Sequence, residues 1–582
     1  MWGPAARRVE VVSGGARVPM QSDGDGWWVL DAPDIAPGSD YGFSLDGGAP
    51  LPDPRSPWQP LGVHGPSRVV DHDAFPWDDA DWSAPPLAPG LIYELHVGTF
   101  TPEGTFDAAA TRLRHLRDLG VTHVELMPVA EFPGSRGWGY DGVDLYAPHH
   151  AYGGPAGLKR FVNACHARGL AVLLDVVYNH LGPDGNYLAS FGPYFTKRYT
   201  TPWGAAINLD GRGSDEVRRF LCDNALMWLR EYHIDGLRID AVHAIVDTSA
   251  VHILEQLAEE VEALAGQLGR PLVLVAESDL NDPRLIRPRD VGGYGLDAQW
   301  NEDFHHALHA VLTGERQGYY ADFGSLADVA KALVDGFVYE GQPSLYRGRR
   351  HGRSARGISG HRFVGFVQNH DQVGNRAQGG RLSRLVSPGR LQIAAALLFT
   401  APYVPLLFMG EEWGTSTPFL YFTDHADPEL GRAVREGRRS EFAAFGWDPS
   451  EIPDPQAHET LARSTLNWAE LEREPHRAML AWYRALAALR RHAPELTDGR
   501  CDAVRVAFDE AARWIRVERG RITIACNLGS RPSNIPLGDD RPRELLLTSA
   551  RDLETESGSL RLPPDSTAVL GPGALMAFEP NG

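Results

Sequence analysis

Four apolar stretches of this chain end in side chains that do acid, base or nucleophilic chemistry. LAVLLDVVYNH carries Asp175, Asn179 and His180, and IDGLRID carries Arg238 and Asp240. LVLVAES carries Glu277 near its end, and FVGFVQNHD ends in His370 and Asp371. Singly, each residue has an ordinary role. An Asp after a strand caps the next helix, an Arg-x-Asp is a salt bridge, and a His is a satisfied structural residue. Jointly the ordinary readings fail, because acids then converge from at least three separate strands. Burying that much like charge is costly unless it is used. Arg238 stands two residues before Asp240 and so points to the same face of a strand. There it would hold Asp240 ionised and aimed. Arg238 is therefore expected to matter for turnover more than for stability.

Such residues need a scaffold that brings strand ends together. From about residue 90, short apolar runs alternate with amphipathic segments. The runs are LIYELHV, VTHVELMPV, LAVLLDVV, IDGLRID, LVLVAES, GLDAQW, FVGFVQN and YVPLLFMG. Segments such as GLKRFVNACHARG and SAVHILEQLAEEVEALAGQLG lie between them. Eight buried strands alternating with helices predict parallel βα units of the α/β class. A closed (β/α)₈ TIM barrel is the leading topology, with a doubly wound open sheet as the alternative. In a barrel the tipped strands would share one face, where active sites form. Residues 1–88 are rich in Gly, Pro, Asp and Trp, with short alternating runs, and read as a β-sandwich. The barrel spans 89–494. Residues 495–582 return to strand-like runs and read as an antiparallel β-domain.

Composition narrows the partners. The 582 residues include 76 Asp and Glu against 56 Lys and Arg, a formal net charge of −20. That charge repels nucleic acid and anionic lipid, and it suits a neutral ligand such as a sugar. Cys165, Cys222, Cys501 and Cys526 form no Cys-x-x-Cys pair, so neither a zinc site nor a disulfide framework is expected. The uncharged run 393–410 is interrupted by Pro402 and Pro405 and reads as a buried helix, turn and strand, not a membrane span. MWGPAARRVEVV has no apolar leader core, and the expected location is cytoplasmic.

DVVYNH, GLRIDAVH, VAES and QNHD resemble, in order and spacing, the four signature regions of the α-amylase family of glycoside hydrolases. The resemblance covers residues 90–490. It implies a retaining mechanism with Asp240 as nucleophile and Glu277 as general acid/base. Asp371 resembles the carboxylate that grips sugar hydroxyls. Tyr140, in GWGYD, resembles the aromatic platform under the reacting sugar. His180, His370, His243, Arg238 and Asp175 resemble sugar-binding or supporting residues. Asn179 matches a position that binds calcium in many members, but here it is expected to be a hydrogen-bonded loop residue. Neither metal nor cofactor is expected. The finer resemblance is to members that cut the α-1,4 bond next to a terminal trehalose. It is carried by stretches such as LPDPRSPWQPLGVHGPS, RGWGYDGVDLYAPHHAYGGP and QNHDQVGNRAQGGRL. It implies maltooligosyltrehalose as substrate and a maltooligosyltrehalose synthase as pathway partner. Such relatives carry an N-terminal sandwich resembling a glycogen-binding module; WGPAARRVEVV resembles its second strand, so the usual first strand is expected to be missing. Trp203, in the long aromatic loop after His180, is expected to contact the trehalose side. A branching or debranching enzyme, and a non-catalytic glucan-binding protein, are the alternatives.

Overall fold

The computed structural model describes residues 1–201, 203–443, 451–539, 541–556, 558–573 and 575. Eight parallel strands close a barrel: β1 (Ile92–Leu95), β2 (His123–Leu126), β3 (Ala171–Val176), β4 (Gly236–Ile239), β5 (Val273–Ala276), β6 (Ala298–Trp300), β7 (Phe363–Phe366) and β8 (Val404–Phe408). They follow one another around the ring, and β8 pairs with β1 to close it. These are the eight runs picked out by pattern, and the closed barrel, not the open sheet, is borne out.

The runs become strands because both their faces are buried. Every position of β3 is buried, as a parallel sheet covered by helices demands. Ile92, Leu173, Val275, Trp300, Val364, Phe366, Val404 and Leu406 pack in the barrel. Outside, amphipathic helices cover the ring. Helix Ile253–Leu268 buries Ile253, Leu257, Val261 and Leu264, one stripe at helical spacing. The uncharged run resolves into helix Pro388–Thr400, a turn and β8. Among the described residues, no helix is long and apolar enough to cross a membrane.

The N-terminal residues form two antiparallel sheets. One has four strands in the order Ala16–Pro19, Val9–Ser13, Asp40–Leu45 and Ser67–Arg68. The other pairs Gln21–Gly24 with Trp27–Val29. This unit rests on the loop that follows β3. Trp2 meets Tyr194 edge-on at 5.6 Å, and Phe43 meets Phe191 at 6.5 Å. Arg55 donates to Tyr146 and to Asp223 of helix Ser214–Glu231, at 3.0 and 2.8 Å. The C-terminal residues form five- and three-stranded antiparallel sheets. Arg519 and Arg390 fasten them to helix Pro388–Thr400, through Thr400 O at 2.6 Å and Asp565 at 2.9 Å.

Candidate active site

The register of β3, β4 and β5 sets Asp175 beside Arg238, and Arg238 beside Val275. The ladder continues past the strand ends. Asp240 N–H donates to Val176 O and Glu277 N–H to Ile239 O, both at 3.0 Å. Asp240 and Glu277 are thus placed by backbone, not by mobile loops.

One guanidinium organises the acids. Arg238 is fully buried. Its Nη1 donates to both oxygens of Asp175, at 2.8 and 2.7 Å, and to Asp240 Oδ1 at 2.8 Å. Its Nη2 lies 3.5 Å from Glu277 Oε2. The guanidinium carbon also sits 4.4 Å from the centre of the Trp300 ring, a cation–π contact.

Electrostatics separate the carboxyls. Burial pushes the Glu277 acid up to about 8; Arg238 opposes this, and Asp240 and Asp371 reinforce it. Glu277 therefore holds its proton near neutral pH, as a general acid must. Asp175 rises to about 6, chiefly by burial and against Arg238. Ala241 N–H donates to Glu277 Oε2. It can do so because Ala241 sits in the left-handed region at φ 37°, unusual for a residue with a side chain. Strain of this kind is held at functional sites by the surrounding structure.

The remaining expected residues divide. Tyr140 donates to Asp175 Oδ2 and contacts His370 Nε2, both at 2.7 Å. Gly139 before it has φ 99°, and a Cβ there would lie 2.2 Å from Pro128 O, so only glycine brings Tyr140 in. Asp371 opens the short helix His370–Gly374 and accepts from Asn375 at 3.2 Å. His180 is buried against Tyr140 O at 3.0 Å. Trp203, half exposed, stacks on His180 with ring centres 4.4 Å apart. His243 is exposed, in the turn Val242–Ala244, and lies within electrostatic reach of Asp279. Asn179 is buried, but neither amide atom bonds to protein, contrary to the hydrogen-bonded role expected of it. One orphaned amide is one of the six or more oxygens that calcium takes and makes no metal site by itself.

Sequence reasoning missed three acids here. Glu302, after β6, accepts from Gln372 at 2.8 Å. Burial, with Glu277 and Asp371, holds it well above the usual carboxyl range. Glu94 and Glu125 lie side by side on β1 and β2, buried below the acids. A charged residue inside an apolar run, as in LIYELHV and VTHVELMPV, was the available signal.

A model of the α-amylase catalytic domain matches residues 20–198, and a domain of unknown function, DUF3459, matches 499–569. The malto-oligosyltrehalose trehalohydrolase of Rhizobium sp. (strain M-11) is 51% identical over 98% of this chain and 97% of its own length. That of Arthrobacter ramosus is 53% identical over 92% and 93%. The chain belongs to the α-amylase family, among the malto-oligosyltrehalose trehalohydrolases. The crystal structure of a putative α-amylase from Salmonella typhimurium shares 42% identity and a TM-score of 0.90, covering 98% of this chain and 97% of that one.

For this trehalohydrolase relative, the burial of Arg238 changes one expectation. The side chain is no surface brace that turnover alone would miss. Arg238→Ala leaves Asp175, Asp240 and Glu277 without their cation, and breaking a buried pair costs on the order of 3–5 kcal/mol. Melting temperature and turnover of the folded fraction should both fall. Arg238→Lys keeps charge but loses the fork, so it should recover more stability than activity. Calorimetry beside kcat decides this; unchanged melting in Arg238→Ala would contradict the buried role.

Proposed function

We propose that the chain hydrolyses the α-1,4-glucosidic bond next to the terminal trehalose of maltooligosyltrehalose, releasing trehalose with retention at the cut sugar. The observation that carries the reaction type is the set of three acids gathered on Arg238. Near identity in length with trehalohydrolases at about half of all positions supports the substrate. Asp240 attacks the anomeric carbon while Glu277 protonates the departing oxygen, and trehalose leaves. Glu277, now a carboxylate, takes a proton from water, which attacks the glycosyl–Asp240 ester. The maltooligosaccharide departs and Glu277 is protonated again. Asp371 and His370 grip the sugar over Tyr140.

A maltooligosyltrehalose synthase would supply the substrate. Four buried cysteines, none paired among the described residues, fit a reducing compartment, and we read the enzyme as cytoplasmic.

Trehalose is kinked and non-reducing, so its subsites should form a short pocket closed by hydrogen bonds that a linear glucan leaves unmade. Each such loss costs about 1–3 kcal/mol. Trehalose-capped oligosaccharides should therefore be cut roughly tenfold or more faster than maltooligosaccharides of equal length. The half-exposed Trp203 is a candidate for that wall. Trp203→Ala should erode the preference more than it erodes basal hydrolysis. Product chromatography on both substrates is the test. Similar rates, or new branches on amylopectin, would exclude the trehalohydrolase reading and favour a branching enzyme.

A further inference from the structure

The floor of the site carries an acid that the proposed mechanism leaves without a task. Glu94 is buried on β1, and both its oxygens are aimed at one residue. Oε2 accepts from His370 N–H at 3.0 Å, and Oε1 pairs with His370 Nδ1. The other ring nitrogen, Nε2, stands 2.7 Å from Tyr140 Oη. Tyr140 donates its single proton to Asp175 at 2.7 Å, and Asp175 takes two bonds from Arg238, which also holds Asp240.

With Asp175 and Glu94 as acceptors, donor counting places the protons along this chain. A tyrosine hydroxyl has one hydrogen. Since it is given to Asp175, Tyr140 must accept from His370, so Nε2 carries a proton. Nδ1 and the backbone N–H of His370 both point at Glu94, and with its two oxygens as acceptors Nδ1 carries one as well. We infer that Glu94 is a positioning residue that holds His370 as a doubly protonated imidazolium and thereby sets the direction of the Tyr140 hydroxyl, which donates to the carboxylate that Arg238 joins to Asp240. This rests on the glycosidase reading above. Without the second proton, Nε2 could accept from Tyr140. Tyr140 would then turn away from Asp175, and the support of Arg238 would loosen.

The surroundings agree. The charged and titratable groups facing His370 are Glu94, Glu125, His96, Tyr140, Asp175, Arg238 and Asp371. Although burial disfavours a charged imidazole, Glu94 and Asp371 outweigh it and raise His370 to about 9. Glu125 has neither oxygen hydrogen-bonded, and burial beside Glu94 holds it well above the usual carboxyl range. Glu94, by contrast, has both oxygens engaged by His370.

The first test needs no turnover. Histidine-selective 15N labelling, with the His370 signal identified by its loss in His370→Asn, should show both ring nitrogens protonated at pH 7.5 in the full chain. A neutral tautomer would overturn the inference. This includes the arrangement in which Glu94 itself holds the proton. The second test is kinetic, on a maltooligosyl fluoride, whose leaving group needs no proton from Glu277. In Glu94→Gln the imidazole loses its counter-charge, and the alkaline fall in kcat/KM should move down by about two pH units or more. Activity should return towards that of the parent at lower pH. Glu125→Gln, which changes the neighbouring acid that makes no hydrogen bond to His370, should leave the alkaline fall at the parent's pH. An equal loss at every pH in Glu94→Gln would mark a merely structural role. A parent that fails to hydrolyse any glucan would sink the functional reading instead, while the labelling result would still stand.

Discussion

Asp240→Asn should remove almost all hydrolysis, on the order of a thousandfold or more, while the protein still folds. The amide fits the same space and can still accept from Arg238 Nη1, which now holds Asp240 at 2.8 Å. What it lacks is the charge needed to attack carbon. A 2-deoxy-2-fluoro maltooligosyl donor should trap the parent as a glycosyl ester, and peptide mapping should find the label on Asp240. Label on Asp371 would reverse the two roles. Circular dichroism of the variant guards against an unfolded explanation.

Glu277→Gln should lower turnover of the natural substrate by about 10²–10⁴-fold, the usual worth of general acid catalysis. Substrates with activated leaving groups should lose far less, because they depart without a proton. The pH dependence follows from the protonated form being the active donor. Glu277 loses its proton as pH rises through about 8, so parental activity on the natural substrate should decline above that point. The variant has no such proton to lose, so the decline near 8 should vanish and leave only the later fall set by His370 at about 9. Because Asp240, Asp371 and Glu277 interact, the observed value belongs to the cluster. Equal losses on both substrate types would argue against the acid role.

The barrel was legible because its cause is local. Each strand is a short apolar run set off by an amphipathic helix, and that alternation survives in the linear text. The tipped strands were legible for the same reason, since chemistry at a strand end is a sequence neighbour of the strand. Arg238 shows where this stops. Its spacing from Asp240 reveals a shared face, but not the three-acid grip, which needs the lateral register of β3 and β5. The left-handed turn at Ala241 is equally silent, because nothing in an alanine announces it. Glu94 and Glu125 were visible as acids inside apolar runs, yet only the adjacency of β1 and β2 makes them a pair. The sequence marks Trp203 as an aromatic candidate for the trehalose side; its partner His180 is brought to it by the intervening loop, whose course no periodicity describes.

The seating of Trp2 and Phe43 on Tyr194 and Phe191 bears on how such chains are inherited. A sheet that contacts its neighbour through polar, replaceable side chains can be shed or exchanged like a cassette. This one is mortised into the same loop that lifts Trp203 over His180. Losing the sheet would strip the support from the loop that carries Trp203. The N-terminal unit and the barrel are therefore bound to drift together, each change in one narrowing what the other tolerates. A lineage can remodel the outer strands freely, but the aromatic joint ties the ancestry of the sheet to that of the site.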